Sequence, residues 1–127
     1  MNTKHLLATF ASVSLITLPV AASAHGSMKP SHGGVVTMSG ETMVELVRTP
    51  KGADFYISEE DQPLTASGYT GTATVTAGGA KKSTPLVAQA GNKMTAPGLK
   101  VPAGSKVVVA LTSKSNAAKT FATFMVK

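Results

Sequence analysis

Residues 42–58 read TMVELVRTPKGADFYIS, and this stretch decides the fold class. In the first half, residues 42–48, one set of alternate positions holds Thr42, Val44 and Leu46, and the other holds Met43, Glu45 and Val47. In the second half, residues 53–58, apolar Ala53, Phe55 and Ile57 alternate with Asp54, Tyr56 and Ser58. The four residues between the halves, Thr49-Pro50-Lys51-Gly52, are typical of a turn. Because successive side chains of a β-strand point to opposite faces, the pattern predicts two strands joined by a turn.

Segments of the same kind recur along the rest of the chain. Each is rich in β-branched residues and is bounded by turn signals such as Ser39-Gly40, Gly78-Gly79 or Gly91-Asn92. The predicted strands cover residues 35–38, 42–48, 53–58, 72–77, 84–88, 93–96, 107–112 and 121–126. No stretch shows a convincing helical period. About seven to eight short antiparallel strands predict an all-β fold, a Greek-key β-sandwich, with a small β-barrel as the alternative.

The expected core is light, because the chain has few aromatic residues and no tryptophan. Valines and alanines are expected to bring the sheets close together, which leaves no room for a deep apolar pocket. The larger core side chains are expected to be Leu46, Phe55, Leu86, Leu99, Leu111, Phe121 and Phe124. Met94 and Met125 are predicted to fill gaps among them.

The N-terminus has the three-part layout of a secretory signal peptide. Lys4 and His5 give a short positive region, residues 6–20 are almost entirely apolar, and Ala22-Ser23-Ala24 supplies the small residues of a cleavage site. The apolar run is shorter than the roughly 20 residues that span a bilayer, and no cysteine follows it for lipid attachment. We therefore expect a periplasmic protein without a membrane anchor after cleavage. The predicted segments are a signal peptide over residues 1–24, a flexible arm over 25–34 and a β-sandwich domain over 35–127.

Composition excludes several function classes. The chain contains no cysteine, so neither disulfides nor thiolate metal sites are expected. Its 12 Lys and Arg residues outnumber its 6 Asp and Glu residues. The lysines are scattered, however, and are expected to keep sheet edges soluble rather than to bind nucleic acid. No nucleophile motif, phosphate-binding loop or paired histidine and carboxylate is evident, so an enzyme is not indicated.

Two histidines, His25 and His32, follow the expected cleavage site, and both lie in the arm. Cleavage would make His25 the N-terminal residue, whose α-amine and imidazole can together chelate Cu²⁺, and His32 can add a third nitrogen. Imidazole suits both copper and zinc. Gly33 and Gly34 are expected to act as a hinge. The alternative is that His25 is an accident of cleavage and that His32 packs or hydrogen-bonds locally.

Methionines form a second candidate set, because thioethers select Cu⁺. Met28 lies between the two histidines and is a candidate ligand of a mixed site. Met38 and Met43 are weaker candidates, which the turn between them could bring together; all three could instead fill core gaps. The acidic run Glu59-Glu60-Asp61 is interpreted as a solvated hairpin turn rather than a cation site.

The segments His32-Gly33-Gly34-Val35-Val36, 42–47, Phe55-Tyr56-Ile57 and Gln62-Pro63-Leu64 follow one another in a distinctive order. Over residues 25–127 this order resembles small periplasmic proteins of bacterial heavy-metal resistance and efflux systems. It is also similar to the β-rich module of heavy-metal efflux adaptor subunits. Such relatives often carry a histidine in the turn occupied here by residues 59–61, and this chain lacks it. The resemblance implies a metal-related role, with a periplasmic efflux component as a partner.

Together these features predict a periplasmic protein that binds a transition metal, with copper ahead of zinc, for sequestration or delivery. The expected ligands are His25, His32 and Met28. The alternative is a β-sandwich without a metal, whose exposed strand edge pairs with a partner such as an efflux assembly.

Overall fold

The computed structural model describes residues 28–127. The predicted signal peptide, over residues 1–24, and His25 therefore lie outside the described residues. The described part forms two antiparallel sheets, one of six strands and one of four. This confirms the predicted β-sandwich, and the barrel alternative is wrong because the strands divide into two separate sheets.

Ten strands make up the two sheets. In chain order they are β1 (Val35–Ser39), β2 (Thr42–Thr49), β3 (Gly52–Glu59), β4 (Gln62–Pro63), β5 (Tyr69–Ala77), β6 (Ala80–Pro85), β7 (Val87–Ala88), β8 (Lys93–Pro97), β9 (Lys106–Ser113) and β10 (Lys119–Met125). The first sheet has the order β1-β2-β3-β8-β7, with β4 also paired to β3, and the second has the order β10-β9-β5-β6. A single 3-10 turn, Ala66–Gly68, precedes β5. No helix among residues 28–127 is long and apolar enough to cross a membrane.

The core lies between the two sheets and is built by strict alternation of side chains. Val44 and Leu46 of β2 and Phe55 and Ile57 of β3 point inward. The Phe55 ring lies 6.4 Å from that of Phe124, measured between centroids. These side chains fill the space between the two sheets. The candidate site described below lies on the other, outer face of the first sheet.

Two residues expected in the core are outside it. Phe121 is 59% exposed and Met125 is 66% exposed, so their predicted core positions are wrong. On β10, Ala122 and Phe124 face the core, and alternation therefore turns Phe121 and Met125 outward. The prediction for Met94, in contrast, is confirmed, because its side chain is fully buried.

The strand predicted over residues 84–88 is in fact parts of two strands in different sheets. β6 ends at Pro85 and pairs with β5, whereas β7 begins at Val87 and pairs with β8. β6 is an edge strand and is exposed over most of its length, so its sequence carries little apolar alternation. Lys81 and Lys82 lie on it, and lysines on an edge strand discourage edge-to-edge pairing.

Register places two rows of side chains on the outer face of the first sheet. Glu45 of β2 lies opposite Tyr56 of β3, and Met43 lies opposite Ser58. Directly opposite residues share a face, and this face is the one turned away from the core. The arm before β1 reaches this outer face through contacts with Glu45.

Candidate functional site

A buried carboxylate holds the arm against the sheet. Glu45 faces outward, yet its side chain is only 1% exposed. Its Oε1 accepts hydrogen bonds from the backbone amides of His32 at 2.8 Å and Gly34 at 2.9 Å. Its Oε2 accepts one from the backbone amide of Ser31 at 3.1 Å and meets Nδ1 of His32 at 3.0 Å. A carboxylate has about four lone-pair sites, so these contacts satisfy it completely.

The same contacts keep Glu45 ionised. Burial by itself would raise the pKa of the Glu45 carboxyl, since a charge is poorly solvated there. The hydrogen bond from the His32 side chain, followed by those from the amides of Gly34, His32 and Ser31, outweighs burial and lowers the pKa below its usual value. The site therefore carries a fixed negative charge beneath the arm.

Two glycines allow the arm to wrap this carboxylate. Gly33 has φ +72°, a left-handed conformation that favours glycine. Gly34 lies so close to β2 that a Cβ there would collide with the carbonyl oxygen of Leu46. The sequence predicts a hinge at these residues, and the structure shows a tight turn that aims amides at Glu45.

The imidazole of His32 is fixed on two sides. Its ring stacks on that of Tyr56, with centroids 3.5 Å apart and planes 8° from parallel. Because the ionised Glu45 can only accept hydrogen bonds, Nδ1 of His32 is the donor. In the neutral ring the lone pair then belongs to Nε2, which makes no hydrogen bond with the described residues. The His32 side chain is 40% exposed, so a ligand can reach it.

An open pocket of about 580 Å³ lies beside this ring. Met43 and Ser58 line it together with His32, as do Asn92 and Asp61. Ser58 is 7% exposed. Its Oγ has no hydrogen-bond partner in the described part of the chain. The pocket thus combines an imidazole, a thioether and a buried hydroxyl on one face of the sheet.

The structure brings together only part of the predicted ligand set. His32 and Met43 line one pocket, and Met38 is the cross-strand partner of Met43. Met28 is 57% exposed and does not line the pocket. His25 lies outside the described residues. Within residues 28–127, no group of three or more His, Cys, Asp or Glu side chains could hold a metal ion.

The acidic run forms the turn between β3 and β4. Glu59 pairs with Gln62, which leaves Glu60 and Asp61 as a two-residue loop. Both have positive φ, 47° and 63°, as a tight hairpin requires. The predicted hairpin turn is confirmed, and it also places Asp61 at the pocket.

Sequence reasoning missed Glu45. The conclusion that no histidine and carboxylate are paired is wrong, because Glu45 bonds the ring of His32. A signal was present: Glu45 is the one charged residue between Met43 and Val47, its neighbours on the same face of β2. A carboxylate that lies between apolar side chains and is covered by other residues needs hydrogen-bond donors. The backbone amides of the arm supply them.

Comparison of the chain with protein-family models, with curated proteins and with solved structures found no match.

Proposed function

We propose that this protein binds copper through Nε2 of His32 and acts in the periplasm in metal sequestration or delivery. The observation that carries the proposal is the bond between Nδ1 of His32 and buried Glu45. Metal-binding histidines commonly donate their other ring nitrogen to a carboxylate, which fixes the tautomer and the ring orientation.

The neighbouring thioether favours copper over zinc. Met43 lines the same pocket as His32, and thioethers bind Cu⁺ well but are not usual zinc ligands. Met38 lies opposite Met43 and is the next thioether along that row. Zinc would need further nitrogen, sulfur or oxygen ligands that residues 28–127 do not group together.

His25 is the proposed source of further nitrogen ligands. It stands three residues before Met28, where the described chain begins. Three extended residues span at most about 10 Å, and Lys29, which follows Met28, lines the pocket. As the mature N-terminus, His25 would offer both an amine and an imidazole to a metal held by His32.

A site of this kind suits transfer rather than permanent storage. His32 is the one imidazole among the described residues that line the pocket, and its side chain is partly exposed. Few protein ligands in an open pocket allow a partner to replace them one at a time. A periplasmic efflux component is the proposed recipient.

The test is a Cu²⁺ titration of protein beginning at His25, followed by electron paramagnetic resonance. We expect a one-to-one site with nitrogen ligands that is lost in His32→Ala and weakened when one alanine is added before His25. For Cu⁺, Met43→Leu should weaken binding, and Met125→Leu is the matched control because Met125 is exposed on the other sheet. Binding indifferent to His32→Ala would contradict the proposal.

A second candidate function is a protein-interaction module without a metal. It is favoured by β10, which ends the second sheet and exposes Phe121 and Met125. Large apolar side chains exposed on the outer face of a sheet can dock against a partner protein. In that case Phe121→Ser should abolish association with a partner, whereas His32→Ala should leave it intact.

A further inference from the structure

The charged residues of the chain are divided unevenly between the two sheets. All 6 acidic residues lie between Glu41 and Asp61, in β2, β3 and the turns next to them. Residues 62–127 contain lysines but no aspartate, glutamate or arginine. The second sheet is built entirely from this part of the chain. A soluble surface usually intersperses charges of both signs, so a sheet that carries positive charges alone indicates a negatively charged partner.

Register gathers lysines that are scattered in the sequence onto the outer face of this sheet. Lys106 of β9 is the cross-strand partner of Thr76 of β5, which in turn pairs with Lys81 of β6. Lys119, at the start of β10, lies on the same face, because it is three residues from the inward-facing Ala122. The three lysines are exposed, and none forms a salt bridge with another described residue. Arginine is favoured where two hydrogen bonds grip one phosphate or carboxylate, so lysines alone suit an extended negative surface rather than a single anion.

Two large apolar side chains stand among these lysines. Phe121 and Met125 are each more than half exposed on the same outer face. Phe121 is two residues from Lys119, and Met125 lies directly opposite Lys106. Four residues of a strand span about 13 Å, so the two apolar groups are separate contacts rather than one cluster. An apolar side chain beside an exposed amine matches a lipid interface, where apolar groups bury among acyl chains and amines stay with the phosphates.

Small side chains occupy the middle of this face. On β5 and β9 they are Thr70, Thr72, Thr74, Thr76, Val108 and Ala110. Because these side chains are shorter than phenylalanine, methionine or lysine, the lysines and the two apolar groups can reach one plane together. A bilayer accepts apolar side chains anywhere on its surface, whereas a protein partner would need a matching pocket for each of them. The pattern therefore favours a membrane surface.

We propose that the outer face of the second sheet docks on an anionic lipid bilayer. Phe121 and Met125 insert between the headgroups, and the lysines of this face lie against the lipid phosphates. Because the outer faces of a sandwich point in opposite directions, the pocket beside His32 then stays open to solution. This inference does not depend on the proposed copper binding, since none of the residues that line the pocket lies on this face.

The experiment measures sedimentation of the protein with lipid vesicles. The protein begins at His25, because the apolar residues 6–20 would bind lipid by themselves, and it retains every described residue. One set of vesicles is phosphatidylcholine alone, and the other contains equal parts of phosphatidylcholine and phosphatidylglycerol. We expect binding to the anionic vesicles, little binding to the neutral ones, and weaker binding as the salt concentration rises.

Substitutions on the two sheets assign the contact to one of them. Phe121→Ser should weaken binding to the anionic vesicles about tenfold, because the exposed part of the phenylalanine no longer becomes buried in lipid. Lys106→Gln and Lys119→Gln should each weaken binding about fivefold. Val87→Ser and Lys51→Gln are the matched controls and should bind as the wild type does, because both residues are exposed and belong to the first sheet and its β2–β3 turn. Every one of these variants changes an exposed side chain and should keep the urea midpoint of the wild type.

The result with vesicles is decided separately from copper binding. His32→Ala should bind vesicles as the wild type does, so failure of one function is distinguishable from failure of the other. Equal binding to neutral and anionic vesicles, or no binding to either, would overturn the proposal. Equal binding by Phe121→Ser and the wild type would also overturn it, since the face would then meet its partner by charge alone. Capture of a protein through Phe121, with no binding to vesicles, would overturn it in favour of the interaction module.

Discussion

Replacing Glu45 by glutamine tests the physical basis of the site most directly. The substitution keeps the size and shape of the side chain but changes what it can do with four hydrogen-bond donors. A glutamine has one carbonyl oxygen, which can accept two of the four bonds. If the amide group takes the place of Oε2, the backbone amide of Ser31 loses its acceptor, whereas Nδ1 of His32 can accept from the amide group in the other tautomer of the ring. The three bonds that remain lose their charged partner.

The expected cost follows from one lost bond and three weakened ones. Hydrogen bonds to a charged acceptor contribute about 1.5–3 kcal/mol each. Losing the bond from Ser31 costs about 1.5 kcal/mol at the lower value. A neutral acceptor or donor in place of the charged one costs about 0.5 kcal/mol for each of the other three bonds, which gives about 3 kcal/mol in all. If the arm leaves the sheet, its amides regain water, which keeps the loss near this lower value. We therefore expect Glu45→Gln to lower the free energy of unfolding by about 3 kcal/mol.

The assay is urea unfolding, combined with hydrogen exchange of the backbone amides of Ser31, His32 and Gly34. All three amides should lose protection in Glu45→Gln. Glu41→Gln is the matched control, because Glu41 is exposed and makes no hydrogen bond with another described residue. If Glu45→Gln is no less stable than Glu41→Gln and its arm amides stay protected, the reasoning is refuted.

Two further predictions concern the contact between the arm and Glu45. The pKa of Glu45 is lowered in the folded protein because hydrogen bonds from His32 and the arm amides outweigh burial, which alone would raise it. The unfolded chain therefore binds the proton more readily, so this stabilisation is complete above the usual carboxyl pKa and is lost as pH falls through the lowered pKa. Acid unfolding curves of Glu45→Gln should lack this part of the pH dependence. Equal pH dependence in Glu45→Gln and the wild type would contradict the prediction. Gly34→Ala should cost about 1–3 kcal/mol of stability, because its Cβ meets the carbonyl oxygen of Leu46, whereas Gly68→Ala, which meets nothing, should cost less than half as much in the same urea assay.

Most of the fold could be predicted because strand alternation is a local property. Each inward side chain of β2 and β3 is two residues from the next, so neighbours in sequence reveal the pattern without knowledge of the partner strand. The bounds of β6 could not be predicted in this way, because an edge strand that buries few side chains need not alternate polar and apolar residues. The prediction that Phe121 and Phe124 both lie in the core is wrong, because residues three apart on a strand point to opposite faces.

The site could be predicted only in part, because its central contact is not local. His32 was identified by its position in the arm, but its partner Glu45 lies thirteen residues away on another element. Their pairing depends on which face of the first sheet the arm covers, and no residue pattern within the arm specifies that face. The burial of Ser58 could not be predicted for the same reason, since it results from neighbours that lie in other segments.

The backbone hydrogen bonds that hold the arm on Glu45 can be separated by mutation from the candidate ligand, the imidazole of His32. Three of the four hydrogen bonds to Glu45 come from the backbone amides of residues 31, 32 and 34, and these do not depend on the side chain of His32. The fourth, from the ring of His32, adds the imidazole to a turn that the glycines and the carboxylate already define. In His32→Ala the three amide bonds remain, so the arm should stay docked while the candidate ligand is removed. Loss of copper binding in that variant, with the amides of residues 31, 32 and 34 still protected, would therefore report on the imidazole itself and not on disorder of the arm.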